Sequence, residues 1–175
     1  MYKRQVKAFI CTQDLKDEDY VNGNYVIMAT KMGQVKKTSL EQYSRPRSNG
    51  INAITVKDGD ELLEAKLTNG NSQIMLAVKS GKAIRFEENK TRPMGRNASG
   101  VRGIRLKDNK DEVVGMISVN DMDANILVVS ENGYGKRSSL EDYRLTNRGG
   151  KGVKTISITE KTGKLVTLKS VSDND

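Results

Sequence analysis

An all-β chain of repeated four-stranded units is the fold class that this sequence predicts, and three observations predict it. Glycine-marked segments recur, as Ala29-Thr30-Lys31-Met32-Gly33, Ala77-Val78-Lys79-Ser80-Gly81 and Val129-Ser130-Glu131-Asn132-Gly133. A second glycine follows each at a similar distance, in Asn49-Gly50-Ile51, Ser99-Gly100-Val101 and Lys151-Gly152-Val153. The period is roughly 50 residues, a spacing at which internal repeats signal a propeller or solenoid. Long helical periodicity is nowhere present.

Each unit contains four strand-like pieces. The first is a short apolar run, Tyr25–Ala29, Ile74–Val78 or Ile126–Val129, rich in the residues of strands buried on both faces. A tight turn follows; Asn132-Gly133 is the clearest, since both residues tolerate positive φ. The second piece is basic: Gln34–Thr38, Lys82–Phe86, Tyr134–Ser138. An irregular connection with Arg and Gly leads to the second glycine. The third piece alternates, Ile51–Val56, Val101–Leu106, Val153–Ile158, and is closed by turn signals such as Asp58-Gly59 and Thr162-Gly163. The fourth comprises Glu61–Thr68, Glu112–Val119 and Leu165–Val171, with Val6–Thr12 as one more copy. The chain therefore divides into units at about 6–60, 61–111 and 112–163, with a surplus strand at 164–175. Propellers typically have four to eight blades, so three units read as a piece of a longer domain. Met1–Gln5 match nothing in the repeats and are read as a non-native start.

Composition narrows the function. The chain is 35% hydrophobic and 5% aromatic without Trp, which favours several thin cores over one large one. Its net charge is +8, and the excess is segregated: windows 30–50, 80–105 and 131–154 carry +4, +5 and +3, leaving the remainder acidic. A basic stripe repeated in this way suits a polyanion. Cys11 is the sole cysteine, which excludes a disulfide framework, favours a reducing compartment and reads as a small buried apolar residue. No apolar stretch approaches a membrane span or a signal-peptide core, so a cytoplasmic location is expected.

In order and spacing, several segments resemble the C-terminal domain of DNA gyrase A proteins. They are Ala29–Thr38, Gly81–Phe86, Arg92-Pro93-Met94-Gly95-Arg96, Gly100–Leu106 and Glu131–Arg137, and the likeness extends over 6–175. The resemblance implies a six-bladed β-pinwheel whose blades exchange strands and whose rim bends and wraps duplex DNA. This chain corresponds to blades three to five. It further implies a whole enzyme that introduces negative supercoils. Its partners there are the gyrase B protein and the catalytic part of the gyrase A protein, in an A2B2 heterotetramer. ATP and Mg²⁺ are then used elsewhere in that enzyme, and no cofactor is expected in this segment. Asn147-Arg148-Gly149-Gly150-Lys151-Gly152 resembles the family's Arg-Gly-Gly-Lys-Gly box, but stands in a later blade than the first, where the box belongs, and has Asn where the box has Arg or Gly.

The candidate DNA-binding residues are Lys36, Lys37, Arg45 and Arg47 in the first unit, and Lys82, Arg85, Arg92, Arg96 and Arg102 in the second. Lys136, Arg137, Arg148, Gly149, Gly150 and Lys151 complete the set. Lys and Arg neutralise phosphates whatever the base sequence, and glycines let backbone N–H groups approach them. Few aromatics lie nearby, against single-strand stacking. The Gly149–Gly152 stretch is no nucleotide loop, because Lys151 is followed by Gly and a strand rather than Ser or Thr and a helix. Tyr43 and Tyr143 occupy matching places in Leu40-Glu41-Gln42-Tyr43 and Leu140-Glu141-Asp142-Tyr143, with Asn89 near that place in the middle unit; that marks them as structural rather than nucleophilic. Without His and with one Cys, neither catalysis nor a metal site has support. Sequence-independent binding, bending and wrapping of duplex DNA is the leading expectation. The alternatives are the corresponding domain of topoisomerase IV and a propeller scaffold for acidic partners.

Overall fold

The computed structural model describes residues 5–172. The non-native start expected at 1–5 lies outside them save for Gln5, as do the last three residues of the expected surplus strand. After a short helix α1 (Glu18–Gly23), capped by the Asp17 carboxylate on the Asp19 and Tyr20 amides, everything regular is strand or single 3-10 turn.

The first sheet pairs β1 (Tyr25–Thr30) with β2 (Gln34–Ser39) and β3 (Leu62–Thr68), both antiparallel. The second pairs β4 (Gln73–Val78) with β5 (Lys82–Glu87) and, beyond β6 (Val101–Arg102), with β7 (Val113–Val119). The third pairs β8 (Asn125–Ser130) with β9 (Gly135–Ser139). It is completed, after β10 (Leu145–Thr146) and β11 (Val153–Lys154), by β12 (Leu165–Val171). The first, second and fourth pieces of each unit thus share a sheet, and β3, β7 and β12 pack side by side.

This corrects the division read from sequence. The sheets close over about 25–68, 73–119 and 125–171, so the expected surplus strand is the third unit's own fourth piece, paired into the third sheet. Val6–Thr12 forms no strand; Ala8, Ile10 and Leu15, with α1, pack instead on the cluster of Val26, Met28, Leu40 and Ala65. Cys11, expected to be buried, is exposed on this irregular segment.

The third piece leaves its own unit. β6 adds to β2 of the first sheet, with Val101 opposite Val35, and β11 adds to β5 of the second, with Val153 opposite Ala83. Each then latches onto the preceding unit's hairpin turn. The Gly103 amide donates to the Gly33 carbonyl at 2.8 Å, and the equivalent Thr155 amide to the Gly81 carbonyl at 2.9 Å. Ile51–Val56 has no earlier second strand to join among the described residues, and it runs without strand pairing. Outgoing strands thus tie consecutive units together.

Apolar residues fill the gaps between sheets. Ile74, Leu76 and Val78 of β4 meet Ile27, Val35 and Ile104 on one side, while Met75 and Ala77 meet Ile126, Val128 and Leu165 on the other. β4 is therefore buried on both faces, and its unbroken apolar run has nothing polar to alternate with. Several thin cores result, each shared by neighbours.

The latch requires close backbone approach. Gly100 has φ +89°, and a Cβ there would stand 2.5 Å from the Val35 carbonyl oxygen; Gly50 has φ +82° with nothing nearby. Gly50→Ala should therefore destabilise by only about 1–2 kcal/mol, the backbone cost of a left-handed L-residue. Gly100→Ala should cost clearly more, because β6 must also shift off β2. Chemical denaturation of the two variants checks the ordering.

Candidate nucleic-acid interface

The connection after each second strand opens with a 3-10 turn: Leu40–Tyr43, Glu88–Lys90, Leu140–Asp142. These connections lie at the sheet edges away from β3, β7 and β12. The candidate cations stand in these connections and on the strands beside them, and the structure sorts them into two groups.

The first group is committed internally. Lys36, on β2 and expected as a DNA-binding residue, is fully buried. Its ammonium donates to the Ala53 carbonyl at 2.5 Å and to the Arg96 carbonyl, pinning the first unit's third piece and the second unit's loop together. Burial, with the nearby Arg96 charge, pushes its pKa down to about 8. Lys37 is also buried and forms an ion pair with Glu88 at 3.0 Å, with the Tyr25 ring 4.1 Å beneath its amine. Glu88 in turn accepts from the Thr68 hydroxyl at 2.7 Å and the Ser72 amide at 3.2 Å. A buried charge is tolerable only with such partners, and removing one partner typically costs about 3–5 kcal/mol. Arg85, at the same register position as Lys37, donates to the Leu140 and Tyr143 carbonyls and to Gln73. Desolvation lowers its pKa, partly offset by Glu141. In both units this cation holds the next unit's 3-10 turn. Lys36, Lys37 and Arg85 are therefore corrected from surface groups to structural ties.

Arg96 and Arg148 are half-buried and equivalent. Arg96 donates to the Asn52 carbonyl, while Arg148 donates to the carbonyls of Lys90 and Arg102. Both stitch a loop to the preceding unit's third piece, so truncating them would perturb the fold as well as the surface. Tyr43 and Tyr143 act similarly: the Tyr43 hydroxyl donates to the Ala53 carbonyl at 3.1 Å, and the Tyr143 hydroxyl meets the Thr155 hydroxyl. Burial raises the Tyr43 pKa. Their middle-unit counterpart is Thr91, which closes the second 3-10 turn, rather than Asn89.

The second group faces solvent: Arg45, Arg47, Arg92, Arg102, Lys136, Arg137 and Lys151 are exposed, and Lys82 is half-exposed. Lys136 and Arg137 stand at the register of Lys36 and Lys37, but among the described residues no third piece covers β9, so the same positions are open. Gly149 has φ +83° and donates its amide to the Gly103 carbonyl; the Gly150 carbonyl accepts from the Arg105 amide. Those backbone groups support the loop. Sequence reasoning passed over Arg105, Lys107 and Arg144, all exposed. Arg105 was hidden inside an alternating piece taken as regular strand, Lys107 stood just past its end, and Arg144 beside the structural Tyr143. Among the described residues no helix is long and apolar enough to cross a membrane.

Consecutive sheets that trade a strand, with cations repeated along one edge, define a β-propeller-type repeat of pinwheel kind. The chain belongs to the DNA gyrase C-terminal domain, β-propeller family, whose model matches residues 24–69, 73–120 and 124–172. Those three stretches coincide with the three sheets. The chain is 43% identical over 171 residues to the DNA gyrase A protein of Staphylococcus epidermidis and 44% identical over 172 to that of Staphylococcus aureus, each match covering 97% of the chain. It spans only 19% of those relatives. Among solved structures it resembles the C-terminal domain of DNA topoisomerase IV (TM-score 0.82, 26% identity, 89% of this chain and 49% of that one). It also resembles a DNA gyrase A C-terminal domain (0.75, 27%, 87% and 50%).

The Lys36 amine generates a pH prediction. Its folded pKa lies below the unfolded value, so between about pH 8 and 10.5 the unfolded state binds the extra proton, and the contribution of Lys36 to stability rises with pH across that window. Unfolding free energies of wild type and Lys36→Met, measured from pH 7 to 10.5, should differ by a margin that widens with pH in favour of wild type.

Proposed function

We propose that this chain binds, bends and wraps duplex DNA without reading its base sequence, as part of the C-terminal domain of a gyrase A protein. The observation that carries the reading is the exposed set Arg45, Arg47, Arg92, Arg102, Lys136, Arg137 and Lys151, which recurs in all three units within or after the second strand. Duplex DNA carries one charge per about 1.7 Å of its axis, and replacing its counterions with Lys and Arg drives binding irrespective of sequence. Strand exchange supports wrapping as well as binding, because it sets each cationic loop in a fixed relation to the next. In the whole protein the domain would serve ATP-dependent negative supercoiling beside the gyrase B protein and the catalytic part of the gyrase A protein. ATP and Mg²⁺ would act there, and the setting would be cytoplasmic.

A second reading, the equivalent domain of topoisomerase IV, is favoured by the higher structural similarity of 0.82. The 43–44% identity to gyrase A proteins favours the first.

Salt dependence tests the proposal. If about six phosphates are contacted, log K against log salt should fall with a slope near −5, at about 0.9 per phosphate. Long duplexes should bind better than short ones, since bending 20–30 bp by 40–90° costs about 1–6 kcal/mol that several loops must offset together. Arg45→Ala/Arg47→Ala/Arg92→Ala should weaken long-duplex binding most and leave the thermal melt in place. A flat salt response, or preference for one short sequence, would overturn the reading.

A further inference from the structure

Between the second and third units lies a cavity of about 200 Å³ lined by Ser80, Lys82, Arg105, Lys107, Asp111 and Lys151. Four cations from three separate chain segments surround it. None of the four side chains makes an ion pair or hydrogen bond among the described residues.

The one acid in the lining is already occupied. The buried Asp111 carboxylate accepts from the Ser80 amide at 2.9 Å, the Ser80 hydroxyl at 2.8 Å, the Lys107 amide at 3.1 Å and the Glu112 amide at 3.2 Å. Those bonds fix the backbone that carries Lys107 against the β4–β5 turn. On the other side the Arg105 amide donates to the Gly150 carbonyl at 2.8 Å, which sets Lys151 beside Arg105. The walls are thus held by backbone bonds, while the four cations that line the cavity form no ion pair among the described residues. Such an arrangement favours an anion, and most of all one with several oxygens for several donors.

The corresponding site between the first two units is built differently. There Gln34 stands where Lys82 stands, Lys57 and Asp60 repeat Lys107 and Asp111, and Arg102 joins the shared Arg105 in the lining. Ser99 takes the place of Lys151 in the matching loop. The Arg148–Gly152 segment therefore delivers a lysine to one unit boundary that the other lacks.

We propose that the cavity seats one phosphate of the bound duplex, held jointly by Lys82, Arg105, Lys107 and Lys151, so that the DNA is gripped more tightly at the boundary of units two and three than at that of one and two. This rests on the DNA-binding reading above.

The test replaces the two distinctive lysines with the residues of the other boundary, Lys82→Gln/Lys151→Ser, with Lys107→Gln as a second variant and Lys16→Gln/Lys164→Gln as a charge-matched control. Duplex affinity is measured across salt concentrations, and backbone amide shifts are followed while inorganic phosphate is titrated into wild type. The expected result is a salt slope shallower by roughly 0.9, one phosphate, in the double variant, a weaker loss in Lys107→Gln, and an unchanged slope in the control. An unchanged slope in the double variant, with wild-type binding intact, would overturn the phosphate seat and leave DNA binding standing. Saturating shifts at Ser80, Lys82, Arg105 and Lys151 with phosphate, but undiminished duplex binding by the variant, would assign the cavity to free phosphate and equally overturn the proposal. If wild type bound no duplex at all, the underlying reading would fail first. A collapsed melt in the double variant leaves Lys107→Gln, a single exposed change, to decide: no loss of slope there overturns the seat.

Discussion

Everything else in this molecule depends on a strand that the second and third units each give to the unit before. A three-stranded antiparallel sheet buried on both faces, as the second is, leaves two apolar faces to cover and two open edges that invite pairing with another strand. Sending the third piece onto the preceding hairpin closes one of those edges, and it brings Val101 and Ile104, or Val153 and Ile156, into the gap between sheets. The same act carries the following loop across the boundary. Arg148 thereby reaches the carbonyls of Lys90 and Arg102, and Arg96 that of Asn52. The geometry of the basic edge is a by-product of how the core is completed.

Charge follows the same logic. Most of a basic strand such as Gln34–Ser39 is spent inside the protein, and both of its cations, Lys36 and Lys37, are buried there. Lys37 and Arg85 then find partners in the next unit's 3-10 turn, and Lys36 finds carbonyls. On β9, with no such cover among the described residues, Lys136 and Arg137 face outward. The surface cations that remain lie on the loops Arg45–Arg47, Arg92 and Lys151 and on strand positions that no neighbour covers, such as Lys136 and Arg137. That division separates groups whose loss threatens folding from groups whose loss weakens only the contact with a polyanion.

Much of this was legible in the sequence. The apolar runs, turn glycines and all-β repeat are visible because a strand buried on both faces needs an unbroken run, and a close approach such as that of Gly100 to Val35 needs a missing side chain. The unit boundaries were misplaced by one strand, because a repeat looks alike from any starting point and only hydrogen bonding reveals that Leu62–Thr68 closes the sheet opened by Tyr25–Thr30. The fate of Lys36 was illegible for a related reason: whether a basic strand residue is covered depends on a partner some 60 residues later. Arg105 was missed because alternation marks a strand, while the chain pairs only at Val101–Arg102 before turning into the cavity wall, where Lys107 follows it.

Residue-resolved amide hydrogen exchange tests the exchanged strand most directly, at the three equivalent positions Ala53, Gly103 and Thr155. Gly103 and Thr155 donate to the turn carbonyls of Gly33 and Gly81, so their amides should exchange only through opening close to global unfolding. Ala53 has no preceding turn to latch onto among the described residues, and should exchange far faster. Equal protection at all three positions, or rapid exchange at Gly103 and Thr155, would contradict the claim that strand exchange holds the units together.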